Sequence, residues 1–461
     1  MQGADLARGK VGKTLLKLAL PSVVAQLINL LYNLVDRMFV GAIPVTGTDS
    51  LAGLGVCFPV LMIVSAFSAL VGIGGAPLVA VRLGEKKTKE AETILTNGFV
   101  MLLAFGAILT AILLVFGEEL LILFGAPASG LLYGKEYLAI YALGTLFVMI
   151  ALGLNPFIST QGYALIGMGS VAIGAVLNIA LDPLFIFVFD MGVKGAALAT
   201  ILSQAASAIW VLSFFFGKRT AIRLRFRAFR PQPKIMLSVV ALGISPFIMQ
   251  ATESAVQIVF NVQLTRYTGG DSAYTAALTI MLSVMQMIAL PLNGLGTGAQ
   301  PLISFNYGAG NFDRVRKAVK WLFVAASVMC LIVWTISLSV PQIFAVIFSA
   351  EPPVAALIRQ YMPVFMMGTI CFSAQFALQN TFLALVQTKV SYALAVLRKI
   401  ILLIPLTFLL PLRMGTAGIF YAEGIADLIA GTITAITFLA MFRGILRRRM
   451  EALNRETVRT I

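Results

Sequence analysis

Residues 178–183, with the sequence NIALDP, place an amide and a carboxylate one helical turn apart inside a long apolar run. A carboxylate in such a run is costly to bury, so we expect Asp182 to have a function. Pro183 has no backbone N–H to donate, which predicts a kinked helix and a free carbonyl oxygen near that carboxylate. Together with the side chain of Asn178, these groups predict a site built of oxygen atoms.

Two residues of other apolar runs are predicted to lie at the same depth. Counting about 1.5 Å per helical residue puts Asp36 and Asp182 each about 22 residues from the cytoplasmic end of a span, and Thr200 about eight residues into a span that enters from outside. Carboxylates, an amide, a hydroxyl and a carbonyl are hard ligands that suit Na⁺. Burial beside a like charge could instead make the two acids a proton carrier. The remaining alternative is that both acids only hydrogen-bond neighbouring helices.

Polar residues also follow single helix faces in both halves of the chain. They recur every three or four residues, which indicates a face turned towards water or protein rather than lipid. Such faces could line a central cavity in which a negative Glu253 attracts a cationic substrate, or form water-filled packing seams. The residues assigned to the substrate cavity are Gln26, Asn29, Asn33, Glu253, Gln257, Asn261, Met285, Gln286 and Gln375.

The composition places these residues in a membrane. Of the 461 residues, 59% are hydrophobic and only 11% are charged, with a mean hydropathy of +0.96, which a soluble surface could not accommodate. The chain has no histidine, so proton or ion handling falls to carboxylates. The net charge is +15, and the basic residues lie in loops between the apolar runs. Positive-inside topology explains this distribution better than nucleic-acid binding does.

Twelve apolar runs are long enough to cross a bilayer as helices of about 20 to 30 residues. Basic residues cluster in every second connection and at both ends, which predicts a multi-pass protein of the cell membrane with both termini cytoplasmic. The predicted spans are 14–40, 51–81, 93–116, 134–154, 160–187, 192–216, 236–267, 275–306, 316–340, 356–385, 389–411 and 416–442.

The two halves of the chain repeat each other. Nine residues recur at one offset, which indicates two six-span copies in the same orientation, related by an axis along the membrane normal. We therefore predict an N-terminal lobe over 1–217, a basic cytoplasmic linker over 218–235, a C-terminal lobe over 236–442 and a basic cytoplasmic tail over 443–461. The matching pairs are Gly72 and Gly296, Gly74 and Gly298, Pro77 and Pro301, Leu78 and Leu302, Gly84 and Gly308, Phe124 and Phe348, Tyr137 and Tyr361, Gly144 and Gly368, and Thr145 and Thr369.

The second half also carries charges of both signs inside its spans. Glu423 and Asp427 share one face of the last span, and Arg398 and Lys399 lie well inside the span before it. We expect Arg398 to pair with one of these acids as a structural ion pair, in preference to a role in transport.

With these features the sequence resembles the multidrug and toxic compound extrusion family, in its DinF-like and MepA-like bacterial branch. The resemblance implies two six-helix bundles arranged in a V around a central cavity, and cation-coupled export of organic cations. It places a cation site at Asp36, Asn178, Asp182 and Thr200, with a backbone carbonyl near Ala196 as a further ligand. The motifs that carry it are 31–36 (LYNLVD), 39–41 (FVG), 178–183 (NIALDP), 192–197 (GVKGAA), 245–246 (SP) and 252–254 (TES).

The same resemblance implies an asymmetry between the halves. In another branch of the family the second lobe binds the ion through a glutamate on span 7 and an aspartate on span 10. Glu253 fits the first position, but span 10 here offers only Gln375 and Gln379. We therefore expect no complete ion site in the second lobe.

These observations favour a secondary antiporter that is not an enzyme, uses Na⁺ or H⁺ as its coupling ion and needs no cofactor. Its expected partners are the lipid bilayer and small amphipathic or cationic drugs, and the expected state is a monomer.

One alternative is a flippase for a lipid-linked or polysaccharide precursor, which would need a more cationic cavity to hold pyrophosphate. Another is an intramembrane aspartyl protease that uses Asp36 and Asp182. A major-facilitator transporter also has six plus six spans, but the loop at 82–87 (RLGEKK) lacks that family's usual signature.

Overall fold

The computed structural model describes residues 4–125, 127–218, 220–225, 231–348 and 350–460, apart from the side chains of Ala128, Ser254 and 456–460. Every regular element within these residues is a helix. The apolar composition explains this architecture, because a segment that crosses a bilayer must satisfy its backbone N–H and C=O groups within itself.

The first half contains six long helices. A π-helical segment, Leu184–Val188, follows the fifth of them and is called the first π segment below. The helices are α1 (Val11–Gly41), α2 (Gly47–Gly84), α3 (Thr88–Leu123), α4 (Ala128–Ser159), α5 (Ala164–Pro183) and α6 (Val193–Phe216).

The second half contains more, shorter helices. Its π-helical segment, Leu397–Leu403, is called the second π segment. The helices are α7 (Pro233–Thr268), α8 (Ser272–Gly308), α9 (Phe312–Ser339), α10 (Gln342–Ile347), α11 (Pro352–Phe365), α12 (Thr369–Ala384), α13 (Thr388–Val396), α14 (Ile404–Leu409), α15 (Pro411–Met414) and α16 (Thr416–Thr460).

Within the described residues, eleven stretches of helix are long and apolar enough to cross a membrane, and one bent pair makes a twelfth. This confirms the predicted all-helical fold with twelve spans. The bent pair is the predicted tenth span, in which α11 and α12 meet at 51°. Pro363 lies near the end of α11, and a methyl group added at Gly368 would lie 2.2 Å from the carbonyl oxygen of Gly424. The proline removes a helical hydrogen bond, and the glycine lets α16 approach the break.

Each half has a π-helical segment next to a proline and a positive-φ glycine before a later helix, but the two π segments lie on opposite sides of their prolines. The first π segment follows Pro183, and the second π segment ends just before Pro405. Gly192 and Gly415 precede α6 and α16 with φ values of 53° and 59°, which an L side chain rarely adopts. Gly192 and Gly415 therefore make the same turn in the two halves.

The two halves meet closely at the end of the bundle that carries both chain termini. A methyl group added at Gly84 would lie 2.1 Å from the carbonyl oxygen of Phe305, and one added at Gly308 would lie 2.2 Å from that of Val81. Gly84 and Gly308 are partners in the repeat. The same position of each half therefore makes a close backbone contact with the other half. Nearer the middle of α2 and α7, the rings of Phe67 and Phe247 pack edge to face at 5.0 Å.

Charged groups also join the halves at this end. Arg449 of α16 pairs with the buried carboxylate of Glu85, and Arg314 donates to the carbonyl oxygen of Gly9 at 2.7 Å. Burial alone would raise the pKa of Glu85, but hydrogen bonds from Arg82 and Arg449 outweigh it and hold that pKa below its ordinary value. Glu85 is therefore a charged anchor between α2 and α16.

The linker joins α6 to α7 close to the predicted boundaries. Its described part packs against the first half, where the side-chain oxygen of Gln161 accepts hydrogen bonds from Thr220 and Ala221, and Arg225 pairs with Glu92 at 2.6 Å. The predicted basic residues Arg219, Arg227 and Arg230 lie outside the described residues.

The predicted C-terminal tail is not separate from the last span. The backbone of α16 continues as one helix to Thr460. Ile445 and Leu446 are buried, and Arg447 pairs with Glu451 one turn further on. Good helix formers, an ion pair along the helix and partial burial extend the helix beyond the apolar run that hydropathy detects.

Candidate functional site

The structure brings together four residues that the sequence analysis grouped by depth. Asp36 on α1, Asn178 and Asp182 on α5 and Thr200 on α6 are all buried. The Asn178 amide donates to Asp182 Oδ1 at 3.1 Å and to Thr200 Oγ1 at 3.4 Å. The carboxyl groups of Asp36 and Asp182 lie close enough to interact electrostatically. We call these four residues the first-half site.

The backbone around Pro183 explains how α5 and α6 present this site. Directly after the proline, the first π segment widens the helix, and the amide of Phe189 donates to the carbonyl of Leu184 at 2.9 Å. The chain then turns at Gly192, and Gly195 packs so closely on the backbone of Phe185 that an added methyl group would lie 2.7 Å away. Small residues at the start of α6 therefore bring Thr200 against Asn178.

Several polar atoms of the site have no hydrogen-bond partner within the described residues. They are Asp36 Oδ1, Asn178 Oδ1, Asp182 Oδ2 and Ser203 Oγ. Unpaired buried oxygens are costly, so such a group calls for a ligand. Three of the four are carboxylate or amide oxygens, which can coordinate a hard monovalent cation, and the paired carboxyl groups could equally share a proton. No cluster of three or more metal-ligating His, Cys, Asp or Glu side chains occurs among the described residues.

Sequence reasoning missed the hydroxyl groups that complete the site. The phenol of Tyr137 on α4 lies within hydrogen-bonding reach of Thr200, and that of Tyr32 is close to both acids. Ser203 lies one turn after Thr200 on α6. A signal for Tyr137 was available, since it is one of the residues that repeat between the halves, but the repeat alone does not indicate which helix it faces.

A narrow pocket of about 30 Å³ adjoins this site between α1, α4, α5 and α6. Asn29, predicted to line a central cavity, is one of the residues that line this pocket. The other polar residues that line it are Tyr32, Asn155, Ser170, Asn178, Thr200, Ser203, Gln204 and Ser207. The pocket gives the buried oxygens a polar approach within one lobe.

The remaining first-half predictions fall around the site. Ala196 is buried in the first turn of α6, one turn before Thr200. Gln26 is half-buried, whereas Asn33 is exposed and donates to the carbonyl of Asn29 in its own helix at 2.7 Å. The polar face of α1 is therefore divided between the pocket and solvent-accessible positions.

The predicted cavity residues of the second half have mixed surroundings. Glu253 and Gln257 are half-buried, and Asn261 and Gln286 are exposed. Met285 and Gln375 are buried, Met285 within the hydrophobic core of this half. The structure therefore leaves four of these six side chains at least partly accessible.

The charges predicted to pair in the second half do so, and one more pair joins them. Arg398 binds Asp427 at 2.6 Å and Glu423 at 2.9 Å, as the expected structural ion pair. Lys399 binds Glu253 at 2.8 Å, a contact that the sequence analysis did not anticipate. These five residues are called the second-half charge cluster.

Comparison with known proteins finds a family model that matches both halves. The family model MatE matches residues 21–184 and again residues 246–409, one match in each half. The multidrug export protein MepA of Staphylococcus haemolyticus is 26% identical over 430 residues, which cover 93% of this chain and 92% of that protein. MepA of Staphylococcus aureus is 23% identical over 420 residues, with 91% and 92% covered.

A solved structure supports the fold. It is described as the outward-facing conformation of a multidrug resistance MATE family transporter of the MOP superfamily, and it superposes with a TM-score of 0.86 at 22% identity over 99% of both chains. The two matches of the family model together span most of the chain, and they confirm the resemblance and the expectation that it is not an enzyme. The chain belongs to the MatE family of membrane transporters.

Proposed function

We propose that this protein exports small amphipathic, often cationic organic compounds across the cell membrane, in exchange for Na⁺ or H⁺, by alternating access. Membership of the MatE family and similarity to multidrug export proteins support export of small molecules. The observation that carries the coupling is the group of unpartnered oxygens at Asp36, Asn178 and Asp182. A cation or proton would satisfy these atoms and neutralise the adjacent carboxyl groups.

Coupling requires that the ion favour one conformation of the two lobes. Asp36 lies on α1 and Asp182 on α5, and α1 also packs against α8 of the other half, where a methyl group added at Gly298 would lie 2.4 Å from the Cα of Ala19. Binding at the acids would draw α1 towards α5 and change how α1 meets α8. The lobes, 1–217 and 236–442, would then exchange access between the two sides, with both termini in the cytoplasm and a monomer as the working unit.

The test is efflux of ethidium from proteoliposomes under Na⁺ and H⁺ gradients imposed separately. We expect one gradient to drive efflux, and Asp36→Asn and Asp182→Asn each to reduce driven efflux to the level of protein-free vesicles. Asp190→Asn is the matched control, because Asp190 is an exposed acid shortly after the first π segment. Driven efflux at the wild-type rate in either site variant would remove that acid from the mechanism. No efflux under either gradient would refute the antiport.

A further inference from the structure

The two cations of the second-half charge cluster are neighbours in sequence but bind different helices. Successive residues of a helix point in different directions around its axis, and here Arg398 reaches α16 while Lys399 reaches α7. Arg398 is held on both sides, by Glu423 and Asp427, and its guanidinium also lies 4.6 Å from the centre of the Phe372 ring. These contacts fix Arg398 and the backbone beside it.

The pair of Lys399 and Glu253 differs because one partner is accessible. The Lys399 side chain is 6% exposed, whereas that of Glu253 is 40% exposed. Lys399 has this single ion pair in the described residues, on a long and flexible side chain. A soluble cation can therefore reach the carboxylate that Lys399 neutralises, and it need not break the pairs of Arg398.

Two glutamines, one on α7 and one on α12, have side-chain amide atoms without partners in the described residues. Gln379 of α12 donates to the Ser245 hydroxyl and to the Met249 sulfur, which places α12 against α7. One turn along α12, Gln375 is 1% exposed, and neither its oxygen nor its nitrogen has a partner in the described residues. On α7, the Gln250 side-chain oxygen, one turn before Glu253, is likewise unpaired. Buried amides without partners call for a ligand at this level of the bundle.

The charges of the cluster provide a second place for the ammonium of Lys399. Three carboxylates face two cations, so Glu423 and Asp427 together carry one more negative charge than Arg398 neutralises. Both acids are within electrostatic reach of Lys399. Lys399 can therefore leave Glu253 and still lie beside a carboxylate. This avoids the high free-energy cost of an unpaired charge inside a low-dielectric protein.

We propose that Lys399 is a tethered cation that occupies Glu253 until the cationic group of a substrate displaces it. The substrate cation then pairs with Glu253, the amides of Gln250 and Gln375 bind its polar groups, and Lys399 moves to Glu423 and Asp427. Lys399 thus sets the specificity of the site, because only a ligand that brings its own positive charge can replace it without leaving Glu253 unpaired. This inference rests on the proposed export of organic cations and names residues that select them.

The test measures equilibrium binding to purified protein in detergent, with ethidium as a monovalent cation and N-phenyl-1-naphthylamine as a neutral aromatic probe. Lys399→Met removes the competing ammonium. We therefore expect ethidium to bind about tenfold more tightly, which corresponds to about 1.4 kcal/mol, and the affinity for the neutral probe to change less than twofold. Lys399→Arg keeps a tethered cation and should stay near wild type. Lys389→Met is the matched control, since Lys389 is an exposed cation on the preceding helix.

Unchanged or weaker ethidium binding in Lys399→Met, or an equal change for both probes, would overturn the proposal. If that variant does not fold, the double variant with Glu253→Gln and Lys399→Met removes both partners and should lose the preference for ethidium over the neutral probe. Retention of that preference would also overturn it. Binding in detergent needs no gradient, so a shift in ethidium affinity without driven efflux in proteoliposomes would refute the antiport alone.

Discussion

The two halves share a backbone but place different chemistry on it. Counted from Gly192 and Gly415, which precede α6 and α16, Thr200 and Glu423 occupy the same position. In the register of the repeated glycines, Asn29 and Glu253 also correspond. The first half therefore has neutral groups where the second half has acids. The second half pairs its acids with Arg398 and Lys399, whereas the first-half site has two acids and oxygens without partners in the described residues.

This difference shows how a repeated fold can divide two tasks. In the first half, negative charge is left for a cation or proton that comes from solution. In the second half, the chain supplies cations of its own, so that only the accessible Glu253 can exchange its partner. The absence of an acid from the predicted span 10 thus does not leave the second half apolar, because its charges lie on α7, α16 and the second π segment.

The largest effect should follow from removal of the built-in cation Arg398. Arg398→Met leaves Glu423 and Asp427 buried without their partner, which should destabilise the protein by about 3–5 kcal/mol. Asp36→Asn and Asp182→Asn should leave stability near wild type, because neither acid forms an ion pair in the described residues that the change would break. The measurement is the apparent melting temperature in detergent, with Arg413→Met as the control, since Arg413 is an exposed arginine. A wild-type melting temperature for Arg398→Met would contradict the contrast between the halves.

A second variant would place a lysine beside an acid of the first-half site, as Lys399 lies beside Glu253 in the second half. Asn178→Lys places an ammonium beside Asp182. We expect it to occupy the first-half site permanently and to reduce gradient-driven efflux to background while the protein still folds. The measurement is efflux from proteoliposomes together with the melting temperature. Asn178→Gln, which keeps an amide, should retain part of the activity, and full coupling in Asn178→Lys would show that a tethered cation does not block the site.

The smallest effect concerns the contact between the halves at Glu85. Hydrogen bonds hold the pKa of Glu85 below its ordinary value, so its contribution to stability is present above about pH 4.3, the value for a free glutamate, and is lost as pH falls through the lowered pKa. Glu85→Gln should therefore destabilise the protein at pH 7 by about 1–3 kcal/mol, and the difference from wild type should shrink as pH falls and vanish below the lowered pKa of Glu85. Melting temperatures across this range test it, with Glu451→Gln as an exposed control. A stability difference between Glu85→Gln and wild type that persists at low pH would show that packing, not the charge of Glu85, causes it.

The sequence alone determined the membrane class, the twelve spans, the repeat and the residues of the first-half site. Hydropathy gives the spans because bilayer thickness fixes their length. Helical rise gives the depth of Asp36, Asp182 and Thr200 because each lies on an uninterrupted helix of known direction. These are properties of single helices, so no knowledge of their packing was needed.

Only the tertiary structure decided which side chains meet across helices. Lys399 binds Glu253, Tyr137 reaches Thr200, and Asn29 faces a pocket inside the first half, although each of these residues was visible in the sequence. Periodicity fixes the position of a residue along and around its own helix, but not which neighbouring helix that face contacts. Close packing at glycines, the bend between α11 and α12 and the two π segments determine those contacts, because they rotate and shift one helix against the next.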